Sequence, residues 1–164
     1  MKSIQALFEV IKVEHEVDAP LDASKITSAE QKLGYPLPDD LKEFYSLSNG
    51  AMLRCQYEAG IYNEVGIYGL EYVERIRTVL LGESGDDDEC APPSWYAICR
   101  VQSGYIIVDL ATVQDNHCLF YFSWEDSTGW EEDSPIIARS FTELLNRLIE
   151  SEGEKYWRRD NFER

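Results

Sequence analysis

Apolar residues recur along this chain with two different periods, and the point where one gives way to the other divides it. At the start, Ile4, Leu7, Phe8 and Ile11 stand at i, i+3, i+4 and i+7, which predicts a helix with one apolar face. The stretch 17–21 carries Asp18 and Pro20 and reads as a connector. Thr27-Ser28-Ala29-Glu30 has the form of a capping box, so a short helix is expected to begin there. Gly34 and Pro36 stop it. Pro38 suits the first position of the next helix, and Leu41, Phe44 and Tyr45 follow at helical spacing. Asn49-Gly50 ends that helix, since both residues tolerate positive φ.

From Ala51 onward the period shortens. Residues 53–57 and 65–70 are rich in aromatic or β-branched side chains and bounded by glycines, which predicts two strands. A brief helical piece follows with Val73, Ile76 and Leu80 on one side. Three further strand-like runs cover 95–101, 105–110 and 119–124, the first two joined through Gln102-Ser103-Gly104 as an antiparallel hairpin. The last helix has the clearest pattern: Ser140-Phe141-Thr142-Glu143 forms a second capping box, and Phe141, Leu144, Leu145, Leu148 and Ile149 make an apolar stripe. Past Gly153, Lys155-Tyr156-Trp157-Arg158-Arg159 is a basic, aromatic tail expected to fold back on the acidic body. Consecutive strands between helices at both ends predict an α+β fold. Its centre is an antiparallel sheet of about five to six strands, packed on one face by N-terminal and C-terminal helices. Strands and helices do not alternate regularly, which counts against a doubly wound fold.

Composition narrows the function. The 164 residues suit one domain with one sizeable core, and 44% hydrophobic residues with ten Tyr, six Phe and four Trp are too apolar for a disordered chain. Thirty-one acidic against fifteen basic side chains give a formal charge of −16. Such a field repels nucleic acid and anionic membranes and attracts basic proteins; acidity that merely maintains solubility is the plainer alternative. Glu9 interrupts any signal-peptide core, and no apolar stretch nears the ~20 residues that span a bilayer. A cytoplasmic location is therefore expected, with Cys55, Cys90, Cys99 and Cys118 reduced.

Much of the acidity lies in two turn-rich runs, 83–89 and 125–133. Asp86, Asp87, Asp88 and Glu89 in the first, with Glu125, Asp126, Trp130, Glu131, Glu132 and Asp133 in the second, are the candidate partner-binding residues. An aromatic ringed by acids suits the centre of an interface with a basic protein, and Trp130 tucked onto its own domain is the plainer alternative. Chemistry leaves few traces. His117-Cys118 are neighbours that a strand would point to opposite faces, and no CxxC or HxxxH spacing occurs, so no metal or cofactor is expected. No local signature supports Cys99 or Cys118 as a nucleophile, and Gly66-Ile67-Tyr68-Gly69 lacks the spacing of a phosphate-binding loop. Binding is thus favoured over catalysis.

Taken in order, these motifs resemble the SUKH superfamily, which contains yeast cell-wall assembly regulators and many bacterial immunity proteins. The similarity runs from Ile26 and Glu30 through Leu33-Gly34-Tyr35-Pro36-Leu37-Pro38, Leu41, Phe44 and Asn49-Gly50. It continues in Ile67-Tyr68-Gly69-Leu70, Trp95-Tyr96-Ala97-Ile98, Tyr105-Ile106-Ile107-Val108-Asp109 and Ile137-Ala138-Arg139-Ser140-Phe141. Where many members carry a Gly-Gly-Asp-like turn, this chain has Gln102-Ser103-Gly104. The resemblance implies a single SUKH-like domain over 1–164, with a core at 25–150 and a tail at 151–164, and no catalytic motif. It also implies an immunity-type protein that neutralises a cognate toxin, a nuclease among the candidates, by direct binding. The alternative is an intracellular adaptor or regulator of the same fold without a toxin partner.

Overall fold

The computed structural model of the protein describes residues 1–58, 61–82, 91–114, 117–124 and 134–158, those at 55–58, 61–62 and 158 by backbone alone. The first apolar stripe forms helix α1, Ile4–Glu14, and buries Ile4, Leu7 and Ile11. After the short strand β1, Glu16–Val17, helix α2 spans Ala23–Leu33. It starts four residues before the expected Thr27, because the Asp22 carboxylate accepts the Lys25 amide at 2.9 Å and aspartate is the stronger cap. Glu30 therefore sits near the helix end. Instead of closing a box it accepts the Leu37 amide at 2.8 Å, which fixes the turn into the next helix. Gly34 stops α2 in the left-handed region at φ 78°. Helix α3, Asp39–Leu47, has Pro38 as its cap and not as its first helical residue, and of the Asn49-Gly50 pair only Gly50 takes positive φ.

The sheet contains β1, β2 (Ala51–Glu58), β3 (Ile61–Ile67), β4 (Glu74–Arg75), β5 (Trp95–Val101), β6 (Gly104–Gln114), β7 (His117–Trp124) and β8 (Ile136–Ala138). All pairings are antiparallel, in the order β1-β2-β3-β5-β6-β7-β8, with β4 also paired to β5. Eight strands exceed the five to six expected. The extra ones, β1, β4 and β8, are two or three residues long, too short for alternation to register, and exist only because a neighbour supplies their hydrogen bonds. The remaining α-helices among the described residues are α4 (Ile76–Leu81) and α5 (Phe141–Glu150).

Helices α1, α2, α3 and α5 cover the inner face. Phe44 of α3 meets Phe141 of α5 edge-on at 5.2 Å, above an inner row that includes Ile106, Val108, Phe120 and Phe122. The outer face carries a second, smaller core in which Ile76 of α4 lies over Trp95, Ala97 and Ile107. The helices are thus not confined to one face. A register shift between Ala97 and Cys99 sends Ile98 and Cys99 together into the inner core. Strand β5 lies between the two cores, and all but Arg100 of its residues are buried. The tail closes on aromatic residues: the Tyr156 hydroxyl donates to the Ile137 carbonyl at 3.0 Å, and Trp157 packs on Phe122 at 4.9 Å.

Candidate functional site

Asp86, Asp87, Asp88, Glu89, Glu125, Asp126, Trp130, Glu131, Glu132 and Asp133, the residues proposed from sequence, lie outside the described residues. Their points of attachment are described. The register sets Trp95 opposite Asp109, while Trp124 lies opposite Gly104. Trp95, the first strand residue after one run, and Trp124, the last before the other, are therefore offset by about 20 Å along the strand direction at a rise of ~3.3 Å per residue.

What the described residues bring together is a different set. The outer sheet face is divided between Tyr68 and Arg100, whose guanidinium lies 4.5 Å from the centre of the Tyr105 ring. On one side α4 covers the sheet. On the other, over β1, β2, β3 and the end of β5, the described residues leave the face uncovered and line a groove of about 810 Å³. Its floor follows strand alternation: Met52 from β2, Glu64 and Gly66 from β3, Arg100 and Gln102 from β5 and its turn. A Cβ at Gly66 would come within 3.3 Å of the Met52 methyl, so glycine leaves room for the end of the Met52 side chain to lie over β3.

One wall is built by a lock between two sequence motifs. Asn49 follows α3; its Oδ1 accepts the Leu70 amide at 2.8 Å and its Nδ2 donates to Glu71 Oε2 at 2.7 Å. The Tyr45 hydroxyl donates to the Tyr68 carbonyl at 3.0 Å. Gly50, at φ 120°, sits so close that a Cβ would lie 2.8 Å from the Ile67 carbonyl oxygen. The connector joins the same wall, with the Asp18 amide donating to Ser48 Oγ at 3.0 Å and the Asn49 amide to the Ala19 carbonyl at 2.9 Å. The result presents Asp18, Glu71 and Tyr72 to the groove, the last 68% exposed. Sequence reasoning took Asn49-Gly50 as a helix stop. It missed the asparagine side chain reaching across to Leu70, and the available signal for the groove was Glu64 and Gly66 alternating with Val65 and Ile67 in a strand whose other face is built for the core.

Four carboxylates, of Glu16, Asp18, Glu64 and Glu71, line the groove with the Arg100 guanidinium. Arg54 is opposite Glu64 in register and pairs with Glu64 at 3.2 Å as well as with Glu16. The hydrogen bond from Asn49 holds the Glu71 carboxyl below the usual carboxylate range, so it stays charged. Such a surface can receive a cationic, planar group between acids and tyrosine rings. The Cys99 and Cys118 thiols lie elsewhere, in the core, and burial pushes both up, Cys118 to about 12. Cys90 and the side chain of Cys55 are outside the described residues. Among the described residues no three His, Cys, Asp or Glu side chains are grouped to hold a metal ion, and no helix is long and apolar enough to cross a membrane.

Residues 20–147 match the SMI1 / KNR4 family (SUKH-1). The chain is also 33% identical over 130 residues to the immunity protein YokJ of Bacillus subtilis (strain 168), a span that takes in 78% of this chain and 74% of that protein. The family match contains both halves of the lock, Asn49-Gly50 and Tyr68-Gly69-Leu70.

Proposed function

The chain belongs to the SMI1 / KNR4 family (SUKH-1), and on that premise we propose that it is an immunity protein that binds a toxin protein directly and neutralises it. The observation that carries this is the similarity to YokJ, which is named an immunity protein and is matched over three-quarters of its length. The charge of the chain supports a basic partner. A nuclease toxin fits, because an enzyme that holds phosphates must present a basic surface, and an acidic protein is steered to that surface and blocks it. The encounter would take place in the cytoplasm, and neutralisation would be stoichiometric, without turnover.

The test is affinity capture with the tagged full chain from the source cells, followed by co-expression with the captured protein. The expected result is a growth-inhibiting partner whose effect disappears when the two are present in equal amounts. Protection at far below equal amounts would point to catalysis. A captured partner that does not inhibit growth would overturn the toxin reading in favour of an adaptor.

A further inference from the structure

We propose that the open half of the outer sheet face is the docking groove, and that its occupant is an arginine side chain on an extended basic segment of the toxin. This rests on the immunity reading and adds where and how contact is made. The covered half of the same face shows what an apolar partner requires: Trp95, Ala97 and Ile107 lie under Ile76. Among the described side chains the open half offers no such surface. Met52, Glu64 and Gly66 stand at the corresponding alternate positions, and the wall adds Asp18 and Glu71.

Charge selects the occupant. Arg54 engages Glu16 and Glu64, whereas among the described residues no lysine or arginine nitrogen lies within 4 Å of the Asp18 or Glu71 carboxylate. These two acids bracket one glycine contact. A Cβ at Gly50 would be 3.1 Å from both Asp18 Oδ2 and the Gly69 nitrogen, and one at Gly69 would be 3.0 Å from Glu71 Oε2. The lock to Asn49 holds Glu71 in place before any partner arrives. Tyr72 stands next to it with an exposed ring face. Two acids and a ring favour a guanidinium over an ammonium, because its planar fork bonds carboxylates while its face stacks on the aromatic.

The probe is a blocked hexapeptide of alternating arginine and glycine, titrated at low salt into the full chain and followed by amide NMR, with lysine in place of arginine as the comparison. Saturable shifts at the Gly66, Gly69 and Tyr72 amides are expected, tighter for arginine. Asp18→Asn with Glu71→Gln, which keeps the acceptor for Asn49, is expected to weaken binding about tenfold, and Tyr72→Ala to weaken it with no other change in the spectrum. Shifts confined to 83–90 and 125–133, no saturable shift, equal affinity for the two peptides, or indifference to these substitutions would each overturn the groove. A captured toxin whose affinity the double variant leaves unchanged overturns the groove alone. A groove that binds the arginine peptide in a protein that captures no toxin overturns the immunity reading alone.

Discussion

The two halves of the outer sheet face belong to one sheet, meet at β5 and face the same side, yet one is sealed and the other is left uncovered by the described residues. On the sealed half Trp95 stacks on Tyr121 with ring centres 4.5 Å apart, beneath a helix of only six residues. On the open half the alternate positions hold Met52, Arg54, Glu64 and Gly66. Apolar burial is worth about 25 cal/mol per Å², so aromatic residues draw a cover, and residues whose charges are satisfied in water do not. One face of one sheet therefore serves stability on one side and leaves a charged surface on the other.

The sharpest way to break this contrast is Trp95→Ala. Trp95 is 3% exposed, and its loss should cost about 3–5 kcal/mol in denaturant unfolding; a cost below about 1 kcal/mol would show that the sealed half is not held by packing. Asn49→Ala comes next. Leaving the Leu70 amide without its acceptor should cost about 1–3 kcal/mol and speed hydrogen exchange at that amide, and an unchanged exchange rate would remove the lock from the groove wall.

Asp40, at the junction of α3 and α5, provides a reference away from both halves. Burial raises its carboxyl above the usual aspartate range although the Thr142 amide and hydroxyl donate to it at 2.7 and 3.0 Å. The folded state thus holds this proton more tightly than the unfolded state, and stability contributed by the protonated form is lost as pH rises from about 4 through the raised value. Asp40→Asn should flatten that part of the profile, measured as unfolding midpoint against pH; parallel profiles would exclude it. Ser103, with φ 64° at the end of the groove, should gain up to about 1 kcal/mol on replacement by glycine. The smallest effect belongs to Tyr72→Ala, within about 0.5 kcal/mol in stability, and a larger loss would mean that this ring supports the fold and is not available to a partner.

Much of the fold was legible in the pattern. The stripes at Ile4, Leu7 and Ile11 and at Phe141, Leu144, Leu145 and Leu148 became buried helix faces, and the runs at 95–101 and 119–124 became strands. The end of α2 was fixed correctly by Gly34, but its start was not, since Asp22 and Thr27 are both acceptable caps, and the stronger one, Asp22, opens a helix that also buries Ile26. Of the site, the acidity was legible and the place was not. Clustered loop charges stand out in a sequence, whereas Asp18, Glu64 and Glu71 are scattered singly and look like ordinary surface residues.

The sequence by itself determined the class of fold, the end helices, the long strands and the sign of the field around the protein. Each of these depends on residues close together or on a sum over all of them. Tertiary structure alone decided that Asn49 meets Leu70 and Glu71, that α4 crosses to the outer face, and that no described residue covers the remaining half of that face. Those outcomes depend on strand register and on which side of the sheet each connection takes, and neither is written in any local run of residues.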